Sequence, residues 1–200
     1  MSYRDVKELL SIRGVKVDHA TIQRWVYKFT PLIEKGFSKR KKPVGNRWRL
    51  DETYIKVKGE WRYLYRAVDK EGNTIDFLLT KRRQRMSAQS FLIKTIENNG
   101  KPELINIDKS GSNKSAILVY NRRALATKSR IKIRQCKYLN NIVEQDHRFI
   151  KKRISQSLGF KEFESARRTL SGIEIVHMLK KNQLIDQDES MFKSFESLAV

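Results

Sequence analysis

From Tyr3 onward, the apolar positions Val6, Leu9, Leu10 and Ile12 fall on one helical stripe, and Ile22, Trp25, Val26 and Phe29 fall on a second. Gly14 ends the first helix, and Asp18 is placed to cap the second. Two helices joined by a short turn fit an ordinary helical hairpin or a helix-turn-helix. In the second case residues near the start of the second helix face DNA, which makes His19, Thr21, Gln23 and Arg24 candidates. Over residues 35–47, KGFSKRKKPVGNR, both periodicities fail, and the stretch reads as a linker whose Lys39, Arg40, Lys41 and Lys42 touch phosphate.

The pattern then changes to a period of two. RWRLDETYIKV, GEWRYLYRAVD and NTIDFLLT are β-rich runs separated by turn signals at KGE and DKEGN, which predicts a three-stranded antiparallel meander. Ser87 is placed to cap a helix carrying Phe91, Leu92 and Ile96, which Gly100 stops. A short buried strand, ELINID, runs into the polar turn KSGSN. A helix over roughly residues 113–127, a strand in SRIKIRQC and a helix in LNNIVEQDHRFIKKR follow. FKEFESARRTLSGIEIVHMLKKNQL reads as one or two amphipathic helices, and the last residues as a frayed tail. A meander followed by alternating helix and strand predicts a mixed α/β sheet covered by helices. By phase, Trp25, Trp48 and Trp61 belong to the core and His177 to an apolar helical stripe.

Composition narrows the partners. The chain has 200 residues, with 43 Lys and Arg against 22 acidic residues and a net charge of +21. Such an excess repels itself in a compact state and calls for a polyanion. The basic residues are spread along the chain rather than gathered on one amphipathic segment, which favours nucleic acid over a membrane surface. No signal peptide follows MSYRD, and no apolar run approaches the roughly 18 residues of a bilayer span; a soluble, cytoplasmic protein is expected. Cys136 is the only cysteine, so an intrachain disulfide and a zinc site of paired cysteines are excluded.

Three carboxylates stand out against this background. Asp51 interrupts a strand, although aspartate packs badly on a pleat and competes for backbone hydrogen bonds. Asp108 ends the run Leu104, Ile105, Ile107 and so lies at the carboxyl edge of a strand, where ligand crevices form in open α/β sheets. Glu144 lies on a helix. Singly, Asp51 can be a solvent-facing strand residue, Asp108 the start of a turn, and Glu144 the partner of Arg148 one turn on. Together they form a set that repels itself unless cations intervene, and hard oxygen ligands suit Mg²⁺ or Mn²⁺. His147 lies three residues after Glu144 on the same face and is placed beside the site as a substrate contact or a residue behind the ligands, with direct metal ligation the lesser alternative.

The elements LDETYIKV, GEWRYLYRAVD, INIDKS, KYLNNIVEQDHRFIKKR and LGFKEFESARRTLSGIEIVHML resemble the integrase-type core of bacterial insertion-sequence transposases with a DDE triad. The resemblance is greatest to the group with a D-E-T-Y first-aspartate motif, insertion-sequence family six, and runs from about Tyr3 to Leu184. It implies a ribonuclease H-like integrase core and the triad Asp51, Asp108 and Glu144, the last two separated by thirty-five residues. It also implies a DNA-contacting base seven positions after the glutamate, here Lys151, with Arg148 and His147 nearby. Two Mg²⁺ ions, replaceable by Mn²⁺, would serve strand cleavage at the element's terminal inverted repeats and transfer of the freed 3′-hydroxyl into target DNA. A homodimer or higher multimer acting at the bacterial nucleoid is implied. The corresponding division is 1–34 helix-turn-helix, 35–47 basic linker, 48–184 catalytic core and 185–200 tail.

Two departures from the family pattern qualify this expectation. Relatives usually carry a further helical segment ahead of the one starting at Tyr3, so residues 1–34 read as a shortened DNA-binding segment. KSGSNKSAILVYN lacks the proline and aromatic residue more usual after the second aspartate. The alternatives are a catalytically inactive, truncated transposase that only binds DNA, and an unrelated nuclease of the same fold.

Overall fold

The computed structural model describes residues 2–108, 111–122, 130–155 and 159–199. These residues form two compact units, one of residues 43–149 and one combining 1–42 with 150–200.

The first unit is built on a five-stranded sheet in the order β3-β2-β1-β4-β5. Strands β1 (Arg47–Val57), β2 (Glu60–Asp69) and β3 (Thr74–Thr80) are the meander, antiparallel throughout. Lys58 and Gly59 both take positive φ, 51° and 79°, which is the two-residue hairpin whose twist matches that of its strands. In the second turn the buried Asp69 carboxylate accepts from the backbone N–H groups of Gly45, Glu71 and Asn73. Strands β4 (Leu104–Ile107) and β5 (Lys132–Gln135) run parallel to β1. Helices α3 (Arg85–Asn99) and α4 (Gly111–Arg122) connect them. Trp48, Leu50, Tyr65, Ala67 and Ile105 form the core with Phe91 and Leu92 of α3 and Ala116 and Ile117 of α4. A mixed sheet flanked by helices, with a meander leading into parallel crossovers, is the ribonuclease H-like arrangement.

Strand β1 does not keep one buried face. Trp48 and Leu50 are buried on the face that α3 and α4 cover, whereas Thr53, Ile55 and Val57 are buried on the opposite face. The phase changes at Asp51 and Glu52, both half-buried. Pairing changes at the same place, because β4 accompanies β1 only as far as Leu50. The acidic pair keeps side-chain exposures of 17% at Asp51 and only 5% at Glu52.

The second unit is helical: α1 (Tyr3–Ile12), α2 (His19–Arg40), α6 (Phe163–Lys180) and α7 (Met191–Glu196). Helix α5 (Asn141–Ser155) belongs to the sheet unit through Phe149 and to the helical unit beyond it. Gly14 takes φ 79° after α1, and the Asp18 carboxylate accepts from Ala20 N–H as the N-cap of α2, both as expected. The expected linker over 35–47 is corrected in part, since α2 continues to Arg40. Gly36, inside that helix, is a point of close approach: a Cβ there would lie 2.6 Å from the Leu198 carbonyl oxygen. Nor is the C-terminus a frayed tail. Ser190 caps α7 by accepting from Lys193 N–H, and Leu198 is buried.

Smaller expectations also shift. Ser87 does not cap α3; Gln84 holds that position, and the Ser87 hydroxyl donates to the Arg82 carbonyl. Helix α4 begins at Gly111, inside the expected KSGSN turn, and positions 123–127 of the helix expected there lie outside the described residues. Trp48 is buried in the core as expected, but Trp25 and Trp61 are 41% and 58% exposed. Their phase matches an apolar face that only part of each element buries. Gln183 and Leu184 pair with Lys41 and Lys42 through Lys42 N–H to the Gln183 carbonyl and a bridge between Lys41 and Leu184. Among the described residues, no helix is long and apolar enough to cross a membrane.

Candidate active site

The backbone around the three carboxylates is fixed by polar side chains inside the sheet unit. Cross-strand register places Asp51 opposite Arg66 and Glu52 opposite Tyr65, so Asp51 and Arg66 share one face and Glu52 and Tyr65 the other. On the Asp51 face lies α5, preceded by the short 3-10 turn Lys137–Asn140. Arg49 donates through Nε to the Leu139 carbonyl at 2.8 Å. Asn140 accepts from the Asn106 amide at 2.6 Å and donates to the Leu50 carbonyl at 3.3 Å. The start of α5 is therefore tied to β1 and β4, the strands bearing Asp51 and preceding Asp108.

Helix α5 is then held by a buried ion pair. Arg66 donates to Asp146 at 2.6 Å, with side-chain exposures of 0% and 9%. Val143 and His147, one turn apart, are buried on the same side of the helix. The His147 Nδ1 lies 3.5 Å from Asp51 Oδ2. Glu144, Arg148 and Lys151 are exposed and recur at i, i+4 and i+7, which forms one ridge along α5. Glu144 lies in the first turn, where the helix dipole favours an anion.

The electrostatics of Asp51 bind these observations together. Burial pushes its carboxyl up to about 7, against a hydrogen bond from the Glu52 N–H, and the charges of Asp108, Glu52 and Glu144 push the same way. Asp51 thus feels both other members of the expected triad, from the end of β4 and from α5. Among the described residues, no three His, Cys, Asp or Glu side chains are gathered closely enough to hold a metal ion. Burial first, and the like charges of Asp108, Glu52 and Glu144 after it, favour the protonated form of Asp51. The donor set suits a hard cation: carboxylate oxygens only, one of them raised toward neutrality by burial and, less strongly, by acids of like charge.

On the opposite face Glu52 is bound by Arg83, from the loop after β3, and faces the amide of Asn113 on α4 at 3.5 Å. Burial pushes Glu52 up and Arg83 pulls it down, while Asp108 pushes it up again. The Tyr65 phenol beside it is pushed up to about 12 by burial, with Glu52 adding to the shift.

Sequence reading missed Arg66, Asp146, Asn106, Asn140, Glu52 and Arg83. Signals existed for two of them: an arginine in the apolar run YLYRAV needs an acidic partner, and DE doubles the charge where a strand should carry none.

The DNA-facing candidates of the helical unit lie in two groups. His19 and Arg24 are exposed at the start of α2, with Thr21 and Gln23 half-buried between them, and His19 Nδ1 is 2.9 Å from its neighbour Asp18. Lys39 is exposed in the last turn of α2. Arg40 donates to Ser197 Oγ at 2.9 Å, and Lys42 Nζ to the Asn182 carbonyl at 2.8 Å. These two cations therefore serve the fold of their own unit, and Lys41 contributes its backbone there.

A family model described as a DDE domain, of the IS240 transposase type, matches residues 45–183. The transposase for insertion sequence-like element IS431mec of Staphylococcus aureus strain Mu50 is 42% identical over 184 residues, which is 92% of this chain and 80% of its own length. The transposase for IS257 in transposon Tn4003 of Staphylococcus aureus matches with the same identity and coverage. Among solved structures, the simian T-cell lymphotropic virus intasome in complex with the PP2A regulatory subunit B56 gamma aligns with a TM-score of 0.48 and 19% identity; the alignment covers 78% of this chain and 56% of that one.

Proposed function

The chain belongs to the DDE transposases of bacterial insertion sequences, and from that premise we propose that Asp51, Asp108 and Glu144 are its catalytic carboxylates and hold two Mg²⁺ ions. The reaction class is phosphodiester transfer on DNA. In cleavage, the oxygen of water bonds to phosphorus at the element's end and the 3′ oxygen leaves. In joining, that 3′-hydroxyl bonds to a target phosphorus and another 3′ oxygen leaves. Bound at the carboxylates, the ions supply activation of the entering oxygen and neutralisation of the leaving one; Mn²⁺, with similar oxygen chemistry, substitutes. Both steps are in-line exchanges, so one centre serves both.

The chain's own residues supply positioning. His147 borders Asp51 and orients its carboxylate, and Arg148 and Lys151 extend from Glu144 along the exposed ridge of α5 to meet backbone phosphate. At the start of α2, His19, Thr21, Gln23 and Arg24 read the terminal inverted repeats, while Lys39 adds a phosphate contact. The positive charge retains the polyanion, and two or more copies bring a pair of ends together in the cytoplasm.

The observation that carries this reading is Asp51, a half-buried strand acid pushed toward neutrality by burial and by Asp108 and Glu144. The experiment is cleavage and joining of a labelled fragment carrying the element's ends, with Mg²⁺ or Mn²⁺, by wild type and by Asp108→Asn. Wild type is expected to nick and join, and the variant to do neither. Equal products from the two would sink the assignment.

A further inference from the structure

Glu52 is a buried acid that the triad does not use. It follows Asp51 on β1 but points to the other face, where its side chain is 5% exposed. Three parts of the sheet unit meet at this carboxylate: its own strand, Arg83 from the loop between β3 and α3, and Asn113 on α4, the helix that follows Asp108. Burying a third acid beside Asp51 and Asp108 adds like charge to a crowded strand end. A cation against it offsets that repulsion.

Arg83 is that cation, and Glu52 uses only part of it. One guanidinium nitrogen, Nη2, meets Glu52, while the side chain remains 44% exposed. A planar fork gripped at one nitrogen keeps further N–H donors in a fixed direction, the arrangement that recognises phosphate with little loss of rotamer freedom. The surroundings point to the same ligand. Residues 81–85 read KRRQR, contain no acid and are all exposed. Among the described residues, β4 pairs with β1 only as far as Leu50, so the ladder on that side ends next to Asp51 and Glu52.

We propose that Glu52 is a positioning residue that holds Arg83 at the triad end of the sheet, where Arg83 takes a backbone phosphate of the DNA strand being cut. This rests on the transposase reading above. Arg83 touches substrate; Glu52 acts through Arg83.

The two possible roles of Glu52 have opposite signatures. An acid that merely repels DNA binds better when neutralised, so Glu52→Gln would lower KM for DNA. An acid that aims Arg83 releases the guanidinium when neutralised, so Glu52→Gln raises KM despite the gain in net positive charge. The experiment measures cleavage of an end-bearing duplex in Mg²⁺, and binding of the same duplex across a salt series, for wild type, Asp108→Asn, Arg83→Gln, Arg83→Lys and Glu52→Gln. A thermal melt of each variant accompanies both measurements. Arg83→Gln and Glu52→Gln are expected to raise KM about tenfold with kcat within about twofold, as befits one charge-assisted contact. Arg83→Gln reduces the slope of log affinity against log salt by about 0.9, one phosphate contact, whereas Arg83→Lys keeps the slope and recovers part of the loss in KM.

An Arg83→Gln variant with wild-type KM and salt slope overturns the inference, as does a Glu52→Gln variant that binds more tightly. Wild type cutting no better than Asp108→Asn removes the catalytic reading instead, and the salt slope, read in binding alone, still tests Arg83. If Arg83→Gln melts below the assay temperature, Arg83→Lys decides through its KM: unchanged from wild type, it overturns the fork contact.

Discussion

Replacing Asp146 by alanine tests how the fold presents Glu144, two residues earlier on α5. The substitution leaves the Arg66 guanidinium, with 0% side-chain exposure, without the carboxylate 2.6 Å away. Removing one member of a buried pair costs about 3–5 kcal/mol, because the remaining charge stays desolvated without its counter-charge. That is a large part of the roughly 5–15 kcal/mol by which a domain is stable. With a urea dependence of about 1–3 kcal/mol per molar, the unfolding midpoint falls by roughly 2 M. Tryptophan fluorescence is a suitable probe, since Trp48 is in the sheet core with 1% exposure, whereas Trp25 and Trp61 are already exposed and change less.

A second variant separates stability from positioning. Arg66→Met with Asp146→Leu replaces the pair by apolar groups of comparable size, which is often neutral or stabilising at buried sites. The midpoint is therefore expected to return while cleavage does not, because the ion pair no longer fixes the rotation of α5 against β2. An Asp146→Ala protein that loses less than about 1 kcal/mol and cuts DNA normally would refute the reasoning, since the pair would then neither be desolvated nor hold the helix. A double variant that recovers stability and activity together would show that packing alone orients Glu144.

Other consequences are as specific. Because the Asp51 carboxyl is pushed up to about 7, the folded chain without added cation keeps a proton that the unfolded chain has released above about pH 4. Stability is therefore lost as pH rises from about 4 to 7 and levels off above that range. Mg²⁺ must displace that proton, so its affinity, followed by calorimetry, climbs up to about tenfold per pH unit below 7 and flattens above it; an affinity flat from pH 5 to 8 contradicts the shift. Asn140→Ala removes the link from Asn106 to the Leu50 carbonyl and is expected to lower the urea midpoint by the equivalent of about 1–3 kcal/mol, with faster amide exchange at the start of α5. Gly36→Ala places a methyl 2.6 Å from the Leu198 carbonyl oxygen, a backbone contact that cannot swing aside. Protease cutting ahead of α7 should accelerate while Trp48 fluorescence is unchanged, and an unchanged cutting rate would deny the close approach.

What could be read from the chain, and what could not, follows the range of the forces involved. Local chemistry was legible: the turn at Lys58–Gly59, the stop at Gly100 and the cap at Asp18 each depend on one or two residues and their neighbours, and each is present. Long-range close approach was not. Gly36 has the same signature in sequence whether it ends a helix or admits a neighbouring carbonyl, and only the return of Leu198 decides between them. The linker and tail readings fail together, because Gly36 and Arg40 of α2 meet Leu198 and Ser197, the residues after α7.

The same distinction applies within the site. Asp51 and Asp108 are anomalous in sequence, an acid in a strand and an acid at a strand end, whereas the resemblance joined them with Glu144 as the proposed triad. Arg66 and Glu52 are anomalous too, but their partners Asp146 and Arg83 lie 80 and 31 positions away in sequence, beyond any local pattern. What joins them is the change of buried face in β1. Once Trp48 and Leu50 pack to one side and Thr53, Ile55 and Val57 to the other, the two residues between must be half-covered on both faces, and each face then needs its own cation. Arg66, paired with Asp146, lies on the Asp51 side and Arg83 serves the Glu52 side. The D-E pair is thus one structural event with two chemical outputs: one acid turned toward the helix bearing Glu144, the other toward the loop bearing Arg83.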